Sequence, residues 1–100
     1  MTRILVVDDE PQLLRALRIN LTARGYDVFS AADGRTALLA ASRHQPDVIV
    51  LDLGLPDLDG IELCVRLRKT LFCPIIFISC LDDEETIVRA FRMGGDDYLA

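Results

Sequence analysis

Val48-Ile49-Val50-Leu51-Asp52 is a run of apolar residues ending in a single acid, with Gly54, Pro56 and Gly60 close behind. An unbroken apolar run of this kind, bounded by turn residues, reads as a strand buried on both faces. Ile4-Leu5-Val6-Val7 repeats the pattern and runs out into Asp8-Asp9-Glu10. In a parallel sheet the carboxyl ends of such strands share one edge, so Asp8, Asp9 and Asp52 are expected to converge. Converging carboxylates repel, and the isolated burial of each costs roughly several kcal/mol unless a cation compensates. The expectation is a bound metal ion.

Outward from these two strands the chain alternates. Pro11 suits the first turn of a helix, where its missing N–H is no loss. Leu13, Leu14, Leu17 and Leu21 keep helical spacing to a stop at Gly25, which predicts a helix over 12–24. Asp27 to Ala31 reads as a short strand and 34–43 as a second helix with Ala37, Leu38 and Ala41 inward. Pro46 precedes the strand 48–51, and Ile61, Leu63, Cys64 and Leu67 mark a third helix over 60–69. Pro74 introduces Ile75-Ile76-Phe77-Ile78, a buried strand ending in Ser79. A fourth helix over 83–93 closes at Gly94-Gly95, and Asp96 to Ala100 begins a fifth strand. Strict alternation with short connections implies parallel strands, right-handed crossovers and a doubly wound α/β sheet. Ligands in such sheets bind beyond the carboxyl ends of the strands, where Asp8, Asp9, Asp52 and Ser79 point.

One hundred residues suffice for one small domain. The formal charge of −5 argues against nucleic acid or an anionic membrane as a direct partner of this segment. No apolar stretch has the length of a signal peptide core or a membrane span, so the expected location is cytoplasmic. Cys64, Cys73 and Cys80 are odd in number and lack C-x-x-C spacing, so free thiols in a reducing compartment are expected. His44 stands just before Pro46, at the other edge of the sheet, and reads as a solvated loop histidine.

Three carboxylates and a hydroxyl, without His, Cys or Arg, suit a hard cation on oxygen ligands. Mg²⁺ is the first choice. Beside such a metal one carboxylate can become a nucleophile towards phosphorus, and Asp52, single and central, is the natural one. Asp8 and Asp9 are then the metal holders. The plainer alternative is that Asp8 and Asp9 merely cap the helix beginning near Pro11. It accounts for one acid but not for two, nor for Asp52 or Ser79.

Val6-Val7-Asp8-Asp9-Glu10, the stretch Leu51 to Gly60, Ile78-Ser79 and Gly94-Gly95-Asp96-Asp97-Tyr98 together resemble the receiver domain of two-component response regulators. The resemblance covers the whole chain and is nearest to the OmpR/PhoB class of transcription factors, of the KdpE type. It implies a five-stranded sheet of order 2-1-3-4-5. It implies Asp52 as acceptor of a phosphoryl group from a sensor histidine kinase, in a phosphoacceptor that catalyses its own phosphorylation and dephosphorylation. It further implies Mg²⁺ held by Asp9, Asp52 and the backbone carbonyl of Gly54, with Asp8 holding metal-bound water. Ser79 would contact the phosphoryl oxygen and Tyr98 would be the switching aromatic. Self-association through the helix 83–93 and the last strand, and DNA binding through an effector domain outside this segment, follow from the same resemblance.

There are departures. The family's Lys directly after the fifth strand would fall just beyond Ala100, and a fifth helix is absent, so the segment 1–100 is expected to be a receiver domain cut short. Cys80 stands where a small Ala is usual and Gly95 replaces a common Ala. Gly54 and Leu81 offer no side-chain amide or carboxylate to orient water, which suggests slow self-hydrolysis. An aspartate-nucleophile phosphatase would need an acid at the position of Gly54, and a non-phosphorylated pseudo-receiver would not need Asp8, Asp9, Asp52 and Ser79 together. Without the fifth helix one sheet face would be bare. A few hundred Å² of uncovered apolar surface costs roughly 5–10 kcal/mol. The expectation is therefore a longer or rearranged molecule that covers this face.

Overall fold

β1 (Arg3–Val7), α1 (Pro11–Ala23), β2 (Asp27–Ala31), α2 (Gly34–His44), β3 (Val48–Asp52), α3 (Gly60–Leu67), β4 (Ile75–Ile78) and β5 (Asp97–Leu99) follow one another along the chain. The structure, a computed structural model, describes residues 1–78 and, for their backbone, 97–99. The helix expected over 83–93, with Ser79 and Cys80 before it, lies outside the described residues. The strands form one sheet of order β2-β1-β3-β4-β5, every neighbouring pair parallel. The expected doubly wound topology is thus present, with β3 at its centre.

Alternation along each strand divides the apolar residues between two layers. Leu5, Val7, Ile49, Leu51, Ile75 and Phe77 turn to one face, where Ala37 and Ala41 of α2 and Ile61, Leu63, Cys64 and Leu67 of α3 cover them. Ile4, Val6 and Val28 turn to the other, under Leu14, Leu17 and Leu21 of α1. The first layer is the larger and its side chains are almost wholly buried. On the second face α1 packs over β2 and β1. The expectation that β3 is buried on both faces is therefore corrected: Val48 and Val50 are half-buried, as are Ile76 and Ile78 on β4. Among the described residues only β1, flanked by β2 and β3 and covered on both sides, has four consecutive buried strand residues.

Local signals set the element ends. Pro11 opens α1, and Gly25, at φ 92°, follows its close in a left-handed conformation that costs glycine little. Asp33 caps α2 by accepting from the Thr36 N–H at 2.7 Å. Gln45 ends that helix at φ 49°, immediately before Pro46. Asp59 accepts from the Ile61 N–H at 2.8 Å to start α3. This helix stops at Leu67 rather than 69, because Lys69 and Thr70 make tighter bonds to Arg66 and Leu67. The Arg68 guanidinium then donates to the carbonyls of Leu71 and Cys73 and holds the turn into β4.

His44 requires a second correction. It is the last residue of α2, half-buried, with its ring stacked on Phe29 at a centroid distance of 3.8 Å and an interplanar angle of 14°. A ring that shares its face with a neighbour sheds water from that face, so Phe29 covers one side of the half-buried His44.

Gly60 lies where the chain returns from the β3–α3 loop against the end of β3. A Cβ there would sit 2.5 Å from the Asp52 carbonyl oxygen and 2.6 Å from the Leu53 Cα, both backbone atoms. A Cβ on Gly34 would meet the Leu58 side chain at 2.6 Å instead. Gly60→Ala is expected to destabilise by about 1–3 kcal/mol and Gly34→Ala by less, since a side chain yields more readily than backbone. Urea unfolding of the two variants measures this, and equal losses would show that the loop moves freely.

Candidate metal centre

The register that pairs Val7 with Leu51 brings the next residues of β1 and β3 to the same edge of the sheet. Asp8 extends the pairing of β1 with β2, its N–H donating to the Ala31 carbonyl at 3.1 Å. One carboxylate oxygen from each of Asp8, Asp9 and Asp52 lies within 4.8 Å of the others. Asp8 is buried, Asp52 half-buried and Asp9 exposed, so the group forms a shallow cup open to solvent on one side. The three acids named from the sequence therefore do converge.

Hydrogen bonds orient two of them. Asp8 Oδ1 accepts from the Glu10 N–H at 2.8 Å, and Asp52 Oδ1 from the Gly54 N–H at 3.2 Å. The capping alternative fails on geometry: the N-cap position of α1 is Glu10, and no side chain caps that helix. Burial pushes the Asp8 carboxyl above the ordinary carboxylate range; the Glu10 N–H opposes this, while the charges of Asp52, Asp9 and Glu10 add to it. Among the described residues no Lys or Arg pairs with any of the three.

This donor set tests well against a hard divalent cation. It offers carboxylate oxygens on converging vectors, an open side for water, uncompensated negative charge, and no sulfur or imidazole. Gly54 is exposed, and a Cβ there would meet nothing nearer than the Asp52 carboxylate oxygens at 3.9 Å. No side chain therefore stands over Asp52 from this position. Ser79 lies outside the described residues, although Asp52 pairs with Ile78, the residue before it. Tyr98 is in β5, its backbone paired with Phe77.

One contributor was not singled out from sequence. Asp57, in the loop after β3, accepts from the Gly34 N–H at 2.7 Å and the Arg35 N–H at 3.0 Å, at the start of α2. These bonds, that from Gly34 foremost, hold its carboxyl below the usual range. The sequence signal, an Asp in a Pro-Asp turn, is too common to assign such a partner.

A parallel five-stranded α/β domain with an acid trio at the carboxyl edge of its central strands defines a class, and comparison with known proteins gives it a family. The response regulator receiver domain matches residues 4–100, and the chain belongs to that family. It is 54% identical over 99 residues to the transcriptional regulatory protein KdpE of Mycobacterium tuberculosis, covering 99% of this chain and 44% of that protein. The chain thus spans less than half the length of this relative. A two-component response regulator from Clostridium difficile, known from its crystal structure, superposes with a TM-score of 0.97 at 30% identity, covering 99% of this chain and 82% of that one. The BeF3-activated N-terminal receiver domain of Klebsiella pneumoniae RstA gives 0.93 at 31% identity, covering 98% and 84%. No helix among the described residues is long and apolar enough to cross a membrane.

Mg²⁺ at millimolar concentration and weak affinity is expected to stabilise the fold by about 1–2 kcal/mol. Asp9→Asn should remove most of that response, and Asp8→Asn should raise stability without metal by deleting a buried, repelled charge. Thermal melts with and without Mg²⁺ check both, and a melt indifferent to Mg²⁺ in the parent protein would exclude the site.

Proposed function

We propose that this domain is the phosphoacceptor of a two-component signalling pair. Asp52 takes a phosphoryl group from the phosphohistidine of a sensor kinase and thereby switches an output. The observation that carries the reading is the convergence of Asp8, Asp9 and Asp52 within 4.8 Å, with Asp52 alone on the central strand. Family membership and the resemblance of the flanking motifs support it.

Asp9, Asp52 and the Gly54 carbonyl would hold Mg²⁺, and Asp8 its bound water. Bound there, Mg²⁺ would offset negative charge on the transferring group, as in other phosphoryl transfers. A carboxylate oxygen of Asp52 forms the new O–P bond in line with the departing imidazole nitrogen. That nitrogen takes the electron pair of the broken P–N bond, leaving an acyl phosphate on Asp52. The Gly54 N–H, at 3.2 Å from Asp52 Oδ1, fixes the carboxylate so that its other oxygen is free to attack. Ser79, following β4, is assigned to a phosphoryl oxygen, and Tyr98 on β5 to the response that re-faces the surface of 83–93 and the last strand. Self-association through that surface is part of the same proposal.

The position two residues after Asp52 is glycine, so no side chain there can serve as the acid or base of an aspartate-nucleophile phosphatase. The same absence favours slow self-hydrolysis of the acyl phosphate. The KdpE relative is by name a transcriptional regulator, and on that ground the domain is assigned to a cytoplasmic regulator whose DNA contacts lie in another part of the molecule.

Incubation with acetyl phosphate and Mg²⁺ should give a single labile phosphate adduct by intact-mass spectrometry, and Asp52→Asn should abolish it. An adduct that persists in the variant, or that maps to Ser79, would sink the assignment.

A further inference from the structure

The loop from Leu53 to Asp59 carries Gly54 and is tied down at two places. At its base the Gly60 N–H donates to the Leu53 carbonyl at 3.1 Å, and Gly60 passes too close to the end of β3 to admit a Cβ. At its far side Asp57 reaches across to α2 and accepts from the N–H groups of Gly34 and Arg35 with both carboxylate oxygens. Leu58 lies close over Gly34, where a Cβ would meet its side chain at 2.6 Å.

α2 already has a cap of its own. Asp33, the residue before the helix, accepts from the Thr36 N–H at 2.7 Å. Two carboxylates thus serve one helix start, the first local and the second from a loop distant in sequence. Orphan N–H groups at a helix start accept a second anion readily, and the lowered Asp57 carboxyl agrees with that. What the second carboxylate adds is a fixed position for the loop. Gly54 sits between the two ties, and its own N–H donates to Asp52 Oδ1 at 3.2 Å.

We propose that Asp57 is a positioning residue for the metal site: its two hydrogen bonds to the start of α2 hold the loop so that the Gly54 carbonyl stays aimed at the cup of Asp8, Asp9 and Asp52. This rests on the assignment of that carbonyl as a ligand. The coupling is reciprocal, because whatever holds the loop for the metal must also be held by it. Metal binding therefore tightens the Asp57 bonds and shields the Gly34 and Arg35 amides.

The test is Mg²⁺ titration by calorimetry, with amide exchange by NMR, on the parent protein, Asp57→Ala, Asp57→Asn and Asp33→Ala. Asp57→Ala should weaken Mg²⁺ on the order of 10-fold, the low end for residues that orient metal ligands. Asp57→Asn, which keeps one acceptor oxygen, should fall between it and the parent. Asp33→Ala, which weakens the same helix without touching the loop, should lower the melting temperature and leave Mg²⁺ affinity unchanged. In the parent, exchange at Gly34 and Arg35 should slow when Mg²⁺ is added. The proposal is overturned if Asp57→Ala binds Mg²⁺ as the parent does. It is overturned equally if Asp33→Ala loses as much affinity, since helix stability would then be the cause. A parent that does not bind Mg²⁺ removes the metal site itself, and this role with it.

Discussion

Three like charges crowded at one edge of the sheet are the constraint around which the rest of this domain is arranged. The parallel register of β1 with β3 leaves Asp8 and Asp52 no way to separate, because moving either would slip a strand whose neighbours are buried. At an effective dielectric of about 20, two unit charges at this spacing repel by roughly 3 kcal/mol. Asp8 carries the cost most visibly, since burial and its neighbours push its carboxyl upward. A fold tolerates such a defect where the energy it stores is released on binding. The acid cup is best understood as a site kept ready for positive charge.

The two layers of the sheet bear this load unequally. Phe77, Leu51, Ile49 and Leu5 fill the side covered by α2 and α3, with almost no exposure. The opposite side is covered by α1 over β1 and β2, and thins out towards β4, where Ile76 and Ile78 remain half-buried. The site therefore rests on one well-packed layer. The loop after β3 is fastened to that same side, through Gly60 at its base and through Leu58 against Gly34 of α2. The loop is held by this packing and by the Asp57 hydrogen bonds, while the acids repel one another.

Much of this was legible beforehand. The apolar runs 4–7, 48–51 and 75–78 became strands, with Asp8, Asp9 and Asp52 at or just beyond the same ends of β1 and β3, because burial and turn chemistry are local signals. Asp8, Asp9 and Asp52 could be named together because a parallel sheet leaves only one edge for strand ends to share. The misreadings have a common origin. His44 reads as a solvated loop residue in the sequence because its partner, Phe29, lies on a strand that the chain passes earlier. Val48 and Val50 read as buried in the sequence because hydropathy reports what a residue tolerates, not which helix lies over it.

Sequence by itself determined the order of elements, their parallel sense, the edge where the chemistry gathers and the residues that carry charge there. Each of these follows from periodicity, glycine and proline placement, or the terminal acid of an apolar run. Tertiary structure alone decided that Asp57 would hold the start of α2 and that Gly34 and Gly60 would be contact points. Those outcomes depend on distances between segments far apart in the chain. A local pattern fixes which groups seek a hydrogen bond or a neighbour; only the packed chain decides which one comes within reach.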